Sequence, residues 1–372
     1  MDLCKEKIIR ACILTIPGIG SQRLRHLIAR YGSAQAAWDS PDFTLVDINP
    51  WLKDFLQARK RISPEKIESN LTKEGISLVA REEDSYPFLL AECPGAPPLL
   101  FYKGKLEPKR ECIAMVGARK ATPYGKAAAS FLAKEMALED FVVVSGLARG
   151  IDAAAHKGTL EADGTTWAFL AGGLDKIYPP ENLKLALEIM EKGKGAIISE
   201  YPPGMCSEPG QFPARNRLIS GSSRGVIVVE AAEKSGALIT VDFALEQGRE
   251  VFAVPGPIFS EMSRGTHQLL KMGAKLVETK EDIIAELSVM DKPEISNAGR
   301  NQKRVIPVSS ASTADNKCEE EIMQFLSDTP LHIDRLTSLC TFSPQEVALS
   351  LLEMQLSGRL VQLPGQHYVL QR

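Results

Sequence analysis

Short, continuously apolar runs recur along the middle of the chain, at 113–116, 141–144, 166–170, 196–198, 226–229, 251–254 and 275–277. Runs that do not alternate with polar residues suit strands buried on both faces, as in a parallel sheet covered by helices. The segments between them, near 124–140, 151–161, 181–192, 236–247 and 265–272, carry helical spacing. The pattern therefore predicts an open α/β sheet, parallel or mixed, beginning at Cys112.

Outside this core the pattern changes. Residues 1–70 read as short helices. Ile8, Ile9, Cys12 and Ile13 share one helical face, and Leu24, Leu27 and Ile28 repeat it after the turn Leu14-Thr-Ile-Pro-Gly-Ile-Gly20. Helix, Gly-hydrophobic-Gly turn, helix is the arrangement of a helix-hairpin-helix, whose turn amides can hold a DNA phosphate without reading bases. Gly18, Gly20 and Arg23, with Arg25 nearby, are its accessory contacts; protein packing explains the same turn equally well. Residues 71–111 form an irregular, strand-containing connector, packed because Phe88, Leu89 and the 99–102 run need burial. The predicted core continues to 290. Residues 291–316 are proline-, serine- and asparagine-rich and read as a flexible linker. From 317 to 372, three helices and a strand pair around Pro364-Gly365 predict a winged helix.

Composition narrows the function classes. Formal net charge is −3, so any anionic partner must meet a local basic site. Seven scattered cysteines with no Cys-x-x-Cys pair fit a reducing cytosol, and the five histidines have no metal-ligand spacing. The polar N-terminus and the lack of an 18-residue apolar run argue against a signal peptide or membrane span, so the expected location is cytoplasmic, with no metal and no cofactor. The winged helix carries four Lys/Arg against seven Asp/Glu, hence −3 for that segment. Its third helix offers Gln345, Glu346 and Glu353 where a DNA reader would place basic groups. That surface suits a protein contact better than a phosphate backbone.

The chemistry concentrates in four loops at strand ends. Gly117 permits close approach after the first core strand, Arg119 and Lys120 supply charge, and Thr122 can cap the helix that Pro123 opens. Ser145-Gly-Leu-Ala-Arg-Gly150 repeats the design, with Gly146 and Arg149 as anion contacts and Asp152 in the next helical turn. A third loop, Ala171 to Asn182, offers Lys176. The fourth, Gln211-Phe-Pro-Ala-Arg-Asn-Arg217, contributes Phe212, Arg215, Asn216 and Arg217, and Ser235 closes the rim. Ligands of open α/β sheets collect outside the carboxyl ends of the strands, where these groups would converge. Neither a dinucleotide fingerprint nor a Walker loop is present. Asp152, Asp175, Glu200 and Glu230 near strand ends leave a nucleotide-processing enzyme open, although no nucleophile–base pair is fixed; His156 reads as structural.

The segments Val116-Gly-Ala-Arg-Lys-Ala-Thr-Pro-Tyr-Gly125, Ser145-Gly-Leu-Ala-Arg-Gly-Ile-Asp-Ala-Ala-Ala-His156, Leu170-Ala-Gly-Gly-Leu-Asp-Lys-Ile-Tyr-Pro179, Phe212-Pro-Ala-Arg-Asn-Arg217, Ser235-Gly-Ala-Leu-Ile-Thr240 and Gly248-Arg-Glu-Val-Phe-Ala-Val-Pro-Gly256 closely resemble the DprA/Smf family of bacterial DNA-processing proteins. The likeness spans essentially the whole chain. It implies a helical domain of sterile-alpha-motif or helix-hairpin-helix type, an extended Rossmann-like domain and a C-terminal winged helix. It implies a non-enzymatic protein that binds and protects single-stranded DNA during natural transformation. The family loads the RecA recombinase, relieves inhibition by SSB on coated DNA, and dimerises through the Rossmann-like domain. On that resemblance Arg119 is the leading DNA contact, with Arg215, Arg217 and Lys176 as neighbours. The rival readings are a nucleoside-monophosphate-binding enzyme and a regulatory protein adaptor.

Overall fold

The computed structural model describes residues 3–40, 51–191, 193–291, 321–326, 331–343 and parts of 347–370. The chain divides into two compact units, Met1–Glu294 and Ile295–Arg372. The expected linker lies outside the described residues apart from Asp291, as do Gln345, Glu346, Glu353 and the Pro364-Gly365 turn.

Among the described residues the larger unit opens with five helices, α1 (Leu3–Leu14), α2 (Ser21–Tyr31), α3 (Ala34–Asp39), α4 (Trp51–Arg59) and α5 (Pro64–Lys73). The connector follows as β1 (Ser77–Ala80), α6 (Phe88–Glu92) and β2 (Leu99–Gly104). The core then alternates: β3 (Cys112–Val116), α7 (Pro123–Leu138), β4 (Val142–Ser145), α8 (Ile151–Glu161), β5 (Thr166–Phe169), α9 (Leu183–Glu191), β6 (Gly195–Ser199), α10 (Gln211–Gly221), β7 (Gly225–Val228), α11 (Gly236–Glu246), β8 (Glu250–Ala253), α12 (Arg264–Lys271), β9 (Lys275–Leu276) and α13 (Lys280–Asp291).

Among the described residues of this unit, nine strands join one sheet in the order β1-β2-β6-β5-β4-β3-β7-β8-β9. Pairing is parallel from β6 through β9 and antiparallel at β1-β2 and β2-β6, so the sheet is mixed. The chain winds outward from β3 to β6, then crosses back to start β7 on the other side of β3. That reversal is a topological switch point, and it opens a crevice at the carboxyl ends of β3 and β7.

Both faces of the sheet are covered, which explains the unalternating strands. Val142, Val144, Val226 and Val228 point into a cluster with Leu218, Val241 and Leu269 from α10, α11 and α12. Ile113, Met115, Val143 and Ile227 point the opposite way, towards Ala129 and Leu132 of α7, Ala155 of α8 and Ile283 of α13. Residues 1–70 are not an independent core: Ile13, Leu24, Leu27 and Phe55 belong to the same apolar cluster as Leu99, Phe101, Ala168 and Ile197. The expected boundary at residue 70 is a change of secondary structure within one packed body.

The connector stays ordered because side chains serve its backbone carbonyls. Arg249 donates to Leu89 O (2.9 Å), Arg81 to Ala91 O (2.5 Å), Arg217 to Gly95 O (2.6 Å), Tyr86 Oη to Pro97 O (2.9 Å) and Arg10 to Pro98 O (2.8 Å), with Arg25 on Pro94 O. An irregular buried segment must find such partners, since it has no ladder of its own. Leu99, Leu100 and Phe101 are buried as expected, but Phe88 is exposed: it opens the short helix α6 and turns away from the core. Residues 211–221, expected as a loop, form helix α10.

In the smaller unit, β10 (Leu331–His332), β11 (Leu360–Leu363) and β12 (His367–Leu370) form an antiparallel sheet in the order β10-β12-β11. Ile322, Leu326, Leu336, Val347, Leu351 and Tyr368 make its core, with the helix Ile333–Leu339 between β10 and the later segments.

Candidate nucleic-acid interface

An open cleft of about 660 Å³ lies at the switch point. Its walls come from the loop after β3 (Gly117, Arg119, Lys120), the loop after β4 (Ala148, Asp152), the loop before α9 (Tyr178), helix α10 (Phe212, Arg215, Asn216) and the start of α11 (Ser235, Gly236). Three cations and one acid line it: Arg119, Lys120 and Arg215 against Asp152, a formal balance of +2.

The β3 loop is built to present charge. Ala118 N donates to Glu230 O (2.7 Å), and Thr122 N donates to the Glu230 carboxylate (2.9 Å), which also accepts from the Thr122 hydroxyl. Thr122 in turn caps α7 by accepting from Gly125 N (3.1 Å). Gly117 is needed because a Cβ there would meet Ile151 Cγ1 at 2.6 Å and Glu230 O at 2.8 Å. Among the described residues, the N–H groups of Arg119, Lys120 and Ala121 have no protein acceptor. They sit just before the α7 N-terminus, whose first turn the Glu230 carboxylate already serves, so it is these unspent amides that can meet an anion.

Arg119 and Lys120 are exposed, and the Arg119 guanidinium lies 4.9 Å from the centroid of the Phe212 ring. Phe212 meets Tyr178 edge-on at 5.8 Å. Cation, ring and ring therefore follow one another along the cleft. This pairing of a phosphate donor with stackable π faces suits a chain of nucleotides. Tyr178, about half exposed, was missed from sequence because Tyr178-Pro-Pro reads as turn punctuation. Asn216 Nδ2 donates to Gly236 O (3.3 Å) and so ties α10 to the start of α11, which Ser235 caps by accepting from Ala237 N (3.3 Å).

The β4 loop departs from expectation. Asp152 Oδ2 accepts from Gly146 N (3.2 Å) and Ala148 N (3.3 Å), and Leu147 N donates to His156 Nε2 (3.3 Å). Asn182 Nδ2 then donates to Leu147 O (2.8 Å) and Ala148 O (3.2 Å). The amides of Gly146, Leu147 and Ala148 are thus spent on an internal carboxylate and imidazole, which brace this part of the loop. Gly146 serves packing: a Cβ there would fall 1.8 Å from Arg215 Nη1. Arg149 leans out to Glu181 (2.5 Å; both side chains more than half exposed) and does not line the cleft. Lys176 is also outside the lining, with its Nζ 3.9 Å from Cys206 Sγ.

Arg215 forms part of the cleft floor but is only 4% exposed, and its Nη1 donates to Phe169 O (2.6 Å). Burial lowers its pKa to about 10, opposed by the charge of Asp152, while burial raises the Asp152 carboxyl. Arg215 thus supplies field from beneath rather than a freely reaching fork. Arg217, two residues on, faces away from the cleft, bridging Glu200 (2.5 Å) and Gly95 O. Arg23 turns back on Gly18 O (2.6 Å) and lies over the Trp51 ring. Gly18 (φ +80°) makes the hairpin turn, and Gly20 precedes α2 without a side-chain cap.

The acids that left an enzyme open are all engaged. Asp152 and Glu230 hold loop amides, Asp175 accepts from Gly204 N (2.8 Å), and Glu200 accepts from Ser21 Oγ (3.0 Å) and Arg217. His156 is fully buried, with Nδ1 2.7 Å from Thr166 Oγ1, whose own proton goes to Val143 O (2.6 Å). Its Nδ1 is therefore the donor and Nε2 the acceptor. Burial lowers its pKa to about 3. An unfolded histidine near 6.5 binds a proton that the folded ring refuses until about pH 3. This contribution is complete above pH 6.5 and declines as pH falls, by roughly 2 kcal/mol at pH 5. Urea melts at pH 7 and pH 5 should show that loss in the wild type and a smaller one in His156→Gln; equal losses would remove the assignment.

Among the described residues no His/Cys/Asp/Glu group is arranged to hold a metal, and no helix is long and apolar enough to cross a membrane. Residues 77–288 match the DNA recombination-mediator protein A family, and residues 307–366 match the DprA winged helix domain. The Escherichia coli protein Smf is 37% identical over 302 residues, covering 79% of this chain and 78% of that one. The Bacillus subtilis DNA processing protein DprA is 45% identical over 217 residues, covering 58% and 72%. The X-ray structure of DNA processing protein A from Streptococcus pneumoniae superposes with a TM-score of 0.63 at 37% identity, covering 77% of this chain and 99% of that one. The Helicobacter pylori DNA processing protein A, solved for its single-stranded DNA binding mode, gives 0.50 at 30% identity, covering 58% and 96%.

Proposed function

The chain belongs to the DNA recombination-mediator protein A (DprA/Smf) family, and from that premise we propose that it holds single-stranded DNA in the switch-point cleft and delivers it to RecA during recombination or natural transformation. The observation that carries the first part is the row formed by Arg119, Phe212 and Tyr178 beside three unspent loop amides. Phosphates would take the arginine, Lys120 and the amides, and bases would stack on the rings. Neither ring nor cation demands a particular base, so binding is sequence-tolerant. Family membership supports the second part: displacement of SSB, loading of RecA, and action as a homodimer through the Rossmann-like domain. Two copies on one strand would bind by linkage, which suits a cleft with few charges. The acidic winged helix fits a protein contact. The cytosol is the compartment where such a strand and recombinase meet.

The nucleotide-enzyme reading predicts a different ligand, and one experiment separates them. Labelled oligothymidylate should bind with a log-affinity against log-salt slope of about −0.7 per phosphate engaged, and thymidine monophosphate should compete poorly. The same protein should raise RecA ATPase on SSB-coated single strands, and removal of residues 317–372 should leave oligonucleotide affinity unchanged. Equal competition by the mononucleotide would overturn the strand-binding reading. An unchanged ATPase would overturn the loading role alone.

A further inference from the structure

Helix α10 has a second wall. On the side opposite Arg215, a separate cleft of about 550 Å³ opens between the α1–α2 hairpin and the sheet, lined by Gly18, Gly20, Gln22, Arg25, Glu200 and Arg217 among others. Its charge does not cancel. Glu200 is the one acid in the lining, and its Oε2 is taken by Arg217 and by Ser21 Oγ. Arg25 is left with a neutral partner, the carbonyl of Pro94, among the described residues. A guanidinium carries five donors, so most of its capacity is unspent. Partial burial, and then the nearby charges of Arg217 and Arg81, lower the Arg25 pKa, as expected where positive charge is in excess.

Resting on the strand-binding reading above, we propose that this cleft is a second phosphate station for the strand held in the first, with the Arg25 guanidinium as its charged contact. The hairpin and α10 form a rigid frame for it, since the hairpin is pinned by Ser21 to Glu200 and α10 by Arg217 to the same carboxylate. The α2 start adds amides: Gly20 offers no side-chain cap, and Ser21, Gln22 and Arg23 have no acceptor for their N–H groups among the described residues. The hairpin signalled by the sequence borders this cleft, and Arg25 lines it whereas Arg23 turns back on Gly18 O. Arg217 anchors the frame and is unsuited as a probe; Arg25 is the residue to test.

Oligothymidylates of about 4 and about 16 nucleotides, spanning the site sizes known for single-strand grooves, distinguish one station from two. Arg25→Gln should leave affinity for the shorter probe unchanged. It should weaken the longer one by about tenfold or more, the scale of one lost charge-assisted contact. The salt slope for the longer probe should become shallower by about 0.7, the loss of one phosphate contact on a single strand. Arg25→Lys should restore most of the slope, which a lost hydrogen bond to Pro94 alone would not predict. Equal effects on both lengths, or none on the longer, would overturn the second station. Arg119→Ala in parallel keeps the two ideas apart. If it weakens both probes while Arg25→Gln weakens neither, only the second station fails. If Arg119→Ala weakens neither, the primary cleft fails first.

Discussion

Arg119→Ala is expected to weaken single-stranded DNA binding by about 2–3 kcal/mol, roughly 30- to 150-fold, while leaving the urea midpoint unchanged. The side chain is exposed and its guanidinium faces a ring rather than an internal carboxylate. Removing it leaves no buried group unpaired, so the loss should fall on the ligand. Two interactions vanish together: a charge-assisted bond to phosphate and the cation that covers Phe212. Arg119→Lys should keep the charge but lose the planar stack, giving an intermediate affinity with a wild-type salt slope. Phe212→Ala should cost about 1 kcal/mol, the lower end for a stacked base because Arg119 already covers part of the ring. Fluorescence anisotropy across a salt series measures all three. An Arg119→Ala protein with wild-type affinity would show that the cleft is not where the strand lies.

Much of the fold was legible because the sheet is buried on both faces. Seven core strands fall within one or two residues of the apolar runs, and helices α7, α8, α11 and α12 follow their caps and glycines closely. Helix α10 was not legible: Pro213 in its first turn and the polar Arg-Asn-Arg sequence mask the face formed by Leu218 and Ile219. Missing it misplaced Arg217. Two residues along a helix are about 200° apart, so Arg215 and Arg217 cannot serve one pocket. A helix assignment alone would have separated them.

The site was half legible for a related reason. Sequence identifies which loops carry glycine and charge, but not which amides the fold has already used. In the β3 loop, Glu230 takes the Thr122 amide and leaves three others open. In the β4 loop, Asp152 and His156 consume Gly146, Ala148 and Leu147, and the same glycine-arginine vocabulary becomes a brace. Only the side chains arriving from α8 decide between those outcomes.

That brace carries the largest expected stability effect in the chain. Asp152→Ala should destabilise the larger unit by about 3–5 kcal/mol, because it strands a buried cation and frees two loop amides at once. Arg215 is 4% exposed, its Nε has no partner, and Asp152 is the charge that opposes its desolvation. Asp152→Asn, which keeps an acceptor for the amides and discards the charge, should fall between the two. Arg215→Met in the Asp152→Ala background should recover part of the loss, since removing both buried charges costs less than orphaning one. Trp38, Trp51 and Trp167 are the protein's three tryptophans and all lie in the larger unit, so their fluorescence in urea follows this unit alone. Additive losses in the double variant would mean that Asp152 acts only through the loop amides, and that the charge beneath the cleft is held by something else.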